Sequence, residues 1–153
     1  MKQEDNLPTI IAYPLVIGSL LFRLWTLWAW LVLPPQWRAY SQPYVKVVEL
    51  VERDSRFDPN TGVYTSTWMN AGAQLTRDQL TWYACTMVHE ARHGEQVRFE
   101  IPVEGPAAEI DAIRPQRQCL VDMGAEQSQI EWLDYLVGEY AANRIDPSDP
   151  HDY

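Results

Sequence analysis

Basic side chains are scarce in this chain: 12 lysines and arginines stand against 21 aspartates and glutamates, a formal net charge of −9 over 153 residues. The first 37 residues are balanced, Lys2 and Arg23 against Glu4 and Asp5, so the whole acidic excess falls on residues 38–153. A surface of that sign repels phosphate backbones and argues against nucleic acid as a partner. Glycine is also sparse, at 7 residues, and nowhere forms a phosphate-binding loop. There is no G-x-S-x-G elbow, no CxxC pair and no internal repeat. A serine-hydrolase nucleophile elbow, a thioredoxin-type redox pair and a repeat architecture are thereby set aside. What remains, 46% hydrophobic and 22% charged, suffices for one domain with a modest core.

One long stretch lacks acidic residues altogether. Ile10–Leu33 holds a single charge, Arg23, in 24 residues and ends at Pro34-Pro35. Thirteen of the 24 are Leu, Ile, Val or Phe, contributing about −4 to −8 kcal/mol to bilayer insertion, against roughly +2.5 to +3.5 for a central arginine. About 20 apolar residues cross a bilayer, so the run predicts a transmembrane helix over 10–33, with Trp25, Trp28, Trp30 and Trp37 suiting a headgroup-level belt. It is long for a signal peptide and no A-x-A-like site follows it. The expectation is a single-pass protein whose membrane side the charge balance leaves open.

The second strong signal is Thr86-Met87-Val88-His89-Glu90-Ala91-Arg92-His93, which contains HExxH. Residues four apart stack on one helical face, so His89 and His93 can offer two imidazoles to one metal ion. Glu90 lies beside that face as a general base for a water. Zn²⁺ wants neutral imidazole nitrogens, a third protein ligand and one open position. The local sequence is helical. Thr76-Arg77-Asp78-Gln79 fits a capping box, and no proline interrupts the run to about Arg98. Leu80, Ala84, Met87, Val88 and Ala91 form a core stripe, with His89 and His93 on an adjacent stripe beside Cys85 and Thr86.

After a loop at Ile101–Gly105, Pro106 suits the first position of a new helix, which carries Glu109-Ile110-Asp111-Ala112. HExxH followed by a helix bearing E-x-x-A resembles the gluzincin branch of zinc metallopeptidases, over about residues 76–124. The resemblance implies His89, His93 and Glu109 as zinc ligands and Glu90 as the general base. Glu104 and Asp111 are the competing third ligands, although Asp111 should point away if Glu109 points in. The chain departs from that family at Arg92 and Glu95, where zincins carry uncharged and apolar residues. Gln96 and Phe99 stand where the metzincin extension needs Gly and His. Pro115 should kink or split the second helix.

Elsewhere, Tyr44–Glu52 and Val63–Trp68 are rich in β-branched residues and alternate, with Arg56–Gly62 as turn chemistry between them, so a β-hairpin with a long loop is expected. Either strand could bind an extended peptide by main-chain hydrogen bonds. Gly124 reads as the stop of the second helix, and residues 126–144 as a third with Ile130, Leu133, Val137 and Tyr140 on its core face. Tyr135 and Tyr140 are candidate phenols for stabilising an oxyanion. Cys85 and Cys119 reach disulfide distance if the first two helices pack; two reduced core cysteines are the alternative. From residue 146 the chain is short and acidic, a predicted disordered tail in which His151 is a poor ligand.

The sequence thus predicts an α+β, mostly α, minimal zincin-like domain at 38–145, preceded by the membrane segment within 1–37 and followed by the tail at 146–153. The expected activity is zinc-dependent hydrolysis of a peptide or protein substrate. A membrane-anchored module that works by protein–protein interaction is the alternative, and an amidase acting on a non-peptide amide is a third reading.

Overall fold

The computed structural model describes residues 7–11, 17–51, 56–67 and 76–145. Among them the chain is α+β and mostly helical. Its elements run β1 (Thr9–Ile11), α1 (Ile17–Val32), α2 (Pro35–Ser41), β2 (Val47–Val51), β3 (Arg56–Asp58), β4 (Val63–Thr67), α3 (Arg77–Arg98), α4 (Pro106–Asp122) and α5 (Gln127–Ala141). The tail from 146 onward, with His151, and the expected strand ends at Glu52 and Trp68 lie outside the described residues.

Helix α3 is the centre of the molecule because it is buried on more than one side. Leu80, Ala84, Met87, Val88 and Ala91 all sit in the core, and His89, Glu90, His93, Gly94 and Gln96 are buried with them. It packs against α1 and α2 on one side and α4 on the other, and α5 closes over α4. The capping box starts α3 as expected. Gln79 N–H donates to Thr76 Oγ1 and Thr76 N–H to Gln79 Oε1, both at 3.2 Å. Helix α4 opens with Pro106 at its first turn and runs unbroken through Pro115 to Asp122. The predicted split does not occur: Ala112, Ile113, Gln116, Cys119 and Leu120 are all buried, and that packing outweighs one missing hydrogen bond. Gly124 then takes a left-handed conformation (φ 66°), and Ala125 N–H closes the turn on Leu120 O at 2.9 Å.

The sheet corrects two expectations. Its order is β1-β2-β4-β3, with β2 parallel to β4 and only β3 antiparallel to β4. The hairpin is therefore β3–β4, closed by the turn at 59–62, and not the 44–52/63–68 pair. Because the return passes through β3, β2 and β4 run in the same direction, in the register Val47↔Val63 to Val51↔Thr67. Both expected peptide-binding strands are thus interior, and the sheet edges belong to β1 and β3.

The apolar run at 10–33 does not form one helix. Thr9–Ile11 pair in parallel with β2, where their β-branched side chains suit a strand, and Thr9 N–H donates to Lys46 O at 2.8 Å. Helix α1 runs, among the described residues, from Ile17 to Val32, 16 residues or about 24 Å. Among the described residues no helix is long and apolar enough to cross a membrane. One face of α1, Phe22, Thr26, Ala29 and Trp30, is buried in the core together with Leu33 just past its end, and the Thr26 hydroxyl meets Tyr83 Oη at 3.1 Å. The opposite face leaves Leu20, Leu24, Trp28 and Leu31 exposed.

Two glycines admit the chain between α2 and β2 to its place. A Cβ at Gly94 would lie 2.8 Å from Tyr44 Cβ, and one at Gly62 would lie 2.4 Å from Tyr44 O. Gly62 also has φ 74°, which L side chains rarely adopt. Gly62→Ala is therefore expected to destabilise the fold by at least about 2 kcal/mol, since a left-handed penalty and a backbone clash add. A denaturant midpoint within error of wild type would contradict this account of the turn.

Candidate metal centre

Two helices supply the centre. His89 and His93 lie one turn apart on α3, on the side that meets α4, and both rings are buried, at 2% and 9% exposure. Glu109 comes from the first turn of α4, where the helix dipole favours a carboxylate. The start of that helix is set by Gly105 (φ 87°) and Pro106, which aim the first turn back at α3. His89 Nε2 and His93 Nε2 stand 3.1 Å apart. Glu109 Oε2 is 3.4 Å from the first and Oε1 is 3.5 Å from the second.

Those separations test the fit of a metal ion. Ligand atoms at about 2.0–2.1 Å from one tetrahedral zinc lie about 3.3–3.4 Å from one another. The two imidazole nitrogens, 3.1 Å apart, are close to that figure, and each lies within 3.5 Å of a different Glu109 oxygen. The donor set of two imidazoles and one carboxylate is one that catalytic zinc sites use. Among the described residues His89, His93 and Glu109 form a group of histidine and acidic side chains that could hold a metal ion.

Behind each ring stands a glutamine. His93 Nδ1 is 2.9 Å from Gln96 Oε1, and His89 Nδ1 is 3.1 Å from Gln116 Oε1. With a metal bound, an Nδ1–H donating to each oxygen would leave both Nε2 lone pairs facing the shared point. From the sequence, Gln96 stands only where a metzincin glycine would be, and Gln116 has no role. The signal was there in the spacing: Gln96 follows His89 by seven residues, as Gln116 follows Glu109, and seven residues are two helical turns.

Glu90 is buried at 7% exposure beside the two histidines. Burial pushes its carboxyl above the ordinary range; the charges of His89 and His93 pull it back, and that of Glu109 pushes it up again. A carboxylate raised in this way is a better proton acceptor near neutral pH. Burial opposes ionisation of Glu109 as well, but hydrogen bonds from His89 and His93 hold it well below the usual carboxylate range. For His93, burial acts downward, and the Glu109 hydrogen bond with the charges of Glu90 and Glu109 outweighs it, leaving a pKa of about 9.

That value carries a pH dependence. A metal must displace the proton from His93, so zinc affinity is expected to rise by about tenfold per pH unit up to about pH 9 and to level off above it. In the metal-free protein the sign reverses. A histidine raised from 6.5 to about 9 stabilises the fold below pH 6.5, and that stability is lost as pH rises through about 9. Zinc titrations and metal-free unfolding across pH 6–10 check both slopes; a zinc affinity flat over that range would contradict the protonation of His93.

The remaining candidates lie elsewhere. Asp111 points away from the histidines, as helical geometry requires, and takes Arg92 Nε at 2.8 Å and Gln96 Nε2 at 2.9 Å. Glu104 is exposed in the loop before α4. Tyr135 is exposed on α5 and Tyr140 is fully buried in the core, so neither of the two candidate phenols belongs to the centre. The tyrosine that feels Glu90 is Tyr64 on β4. Burial first, then the charges of Tyr83 and Glu90, push its phenol well above its ordinary value and keep it a donor. Cys85 and Cys119 form a disulfide with Cα atoms 5.7 Å apart, joining the two ligand-bearing helices one turn from His89. No family model, curated protein or solved structure matches this chain.

Proposed function

We propose that the chain is a zinc-dependent metallopeptidase of gluzincin-like arrangement, with His89, His93 and Glu109 as ligands and Glu90 as general base. One observation carries the reading: two imidazole nitrogens 3.1 Å apart each lie within 3.5 Å of a carboxylate oxygen from a second helix, with a buried carboxylate beside them. A zinc ion there would polarise a scissile carbonyl and bring the pKa of a bound water to about 7. Glu90 takes a proton from the attacking water as its oxygen bonds to the carbonyl carbon. It then returns the proton to the amine nitrogen as the C–N bond breaks. The near-closed surroundings of His89 and Glu90 limit bulk water at the reacting centre, which strengthens each electrostatic contact. Incubating the zinc-loaded chain with unstructured peptides tests the proposal. Cleavage that stops with a chelator and returns with zinc supports it, and a zinc-loaded chain inert toward every peptide opposes it.

The exposed leucine and tryptophan face of α1 favours a second reading, a module that docks on a membrane or a partner and keeps zinc structurally. Zinc content without hydrolysis would select that reading.

A further inference from the structure

The two histidine rings are held from behind, and the two holds differ. Gln96 uses its whole amide: Oε1 faces His93 Nδ1, while Nε2 donates to Asp111 Oδ2 at 2.9 Å and to Ala108 O at 3.1 Å. Neither of those oxygens can donate, so turning the amide over would set its oxygen against a carbonyl and a carboxylate. The orientation of Gln96 is therefore fixed by α4. With it is fixed the ring of His93, because only a protonated Nδ1 satisfies Gln96 Oε1. Asp111 is held in turn by Arg92 Nε, and Arg92 also meets Glu95, which accepts from Tyr40 Oη at 2.7 Å. The hold on His89 is built differently. Gln116 accepts from its Nδ1, but the Gln116 Nε2 group is buried with no hydrogen-bond partner among the described residues.

We propose that Gln96, aimed by Asp111 and Arg92, is a positioning residue that locks the His93 ring with its Nε2 toward a divalent cation, and that Gln116 is its weaker counterpart at His89. The inference rests on the metal reading above. It gives a task to Arg92, the charged residue inside HEARH. Its side chain turns away from the centre and anchors the far end of a relay that runs Arg92, Asp111, Gln96, His93. Asp111 lies two residues after Glu109, so the same ion pair sets the register of α4 against α3 at the third ligand. The ion pair is partly exposed, with side-chain exposures of 23% and 28%, so its part is geometry more than stability.

The test uses the full chain and zinc alone as the probe. Zinc affinity is read by competition with a chromophoric chelator for wild type, Gln96→Leu, Gln96→Met, Gln116→Leu and Asp111→Asn, beside the thermal midpoint of each metal-free protein. Loss of a second-layer partner weakens metal binding by about 10- to 100-fold. The two Gln96 variants are expected at that level, Asp111→Asn at a smaller loss and Gln116→Leu at the smallest. A merely structural role would lower the metal-free midpoint and leave the affinity of the folded protein unchanged. Wild type that takes up no zinc removes the metal reading and this inference with it. Wild type that binds zinc while both Gln96 variants bind within twofold of it, or a Gln116→Leu loss larger than that of Gln96→Leu, overturns the positioning role and leaves the metal reading standing.

Discussion

Glu90→Gln is expected to lower peptide turnover by about 10²- to 10⁴-fold, the range that a positioned general base contributes, and to leave one zinc per chain. The amide keeps the size and burial of the carboxylate but cannot take a proton, so the substitution removes one role and little else. It also removes a buried acid whose carboxyl is raised by burial, so the variant should be no less stable than wild type. The distinction from the ligands is sharp. Glu90 follows His89 directly and lies off the stripe shared by the two imidazoles, whereas Glu109 Oε2 and Oε1 meet both Nε2 atoms. Rates measured on zinc-loaded protein, with zinc content measured in the same samples, separate the two roles. Full turnover in Glu90→Gln would remove Glu90 from the mechanism.

The second large effect concerns the disulfide. Cys85 and Cys119 are 34 residues apart in sequence, and the loop that their bond closes corresponds to about 4 kcal/mol of stabilisation at 25 °C when the unfolded chain is constrained. Reduction of the wild-type protein, or Cys85→Ala with Cys119→Ala, is expected to lower the thermal midpoint by roughly 10–20 °C. The bond joins α3 to α4 one turn before His89 and one turn after Gln116, so loosening it loosens the approach of Glu109 to the histidines. Zinc affinity should fall in the reduced protein as well. Unfolding followed with and without reductant reads this directly, and equal midpoints would show that helix packing alone holds α3 on α4.

Local signals in the sequence picked out side chains that the fold brings together at His89, His93 and Glu109. The capping box at Thr76–Gln79, the core stripe of α3 and the i,i+4 histidines are all set within one helix, and short-range physics decides them. The start of α4 at Pro106 and its end at Gly124 were legible for the same reason, as was the core face of α5 at Ile130, Leu133 and Tyr140. Features that depend on distant partners were not legible. The pattern at 44–52 and 63–68 says strand, but not that β2 and β4 run parallel, since pairing is chosen by the whole sheet. The run at 10–33 satisfies a membrane hydropathy count, yet Thr9–Ile11 find a free edge on β2 and one face of α1 finds the core. Gln96 and Gln116 carry no charge pattern; their helical spacing puts them on the right faces, but the histidine each one meets is decided only when α4 packs on α3. Arg92 departs from the zincin pattern, and its ion pair with Asp111 spans two helices, so spacing within one helix does not announce it.

Binding of one zinc between α3 and α4 is tested by the metal content of the purified chain, wild type beside His93→Ala and Glu109→Ala. One zinc per wild-type chain is expected, and none retained at equal free zinc by either variant, with both variants still folded. A folded wild-type chain without zinc, or full zinc content in both variants, would contradict it.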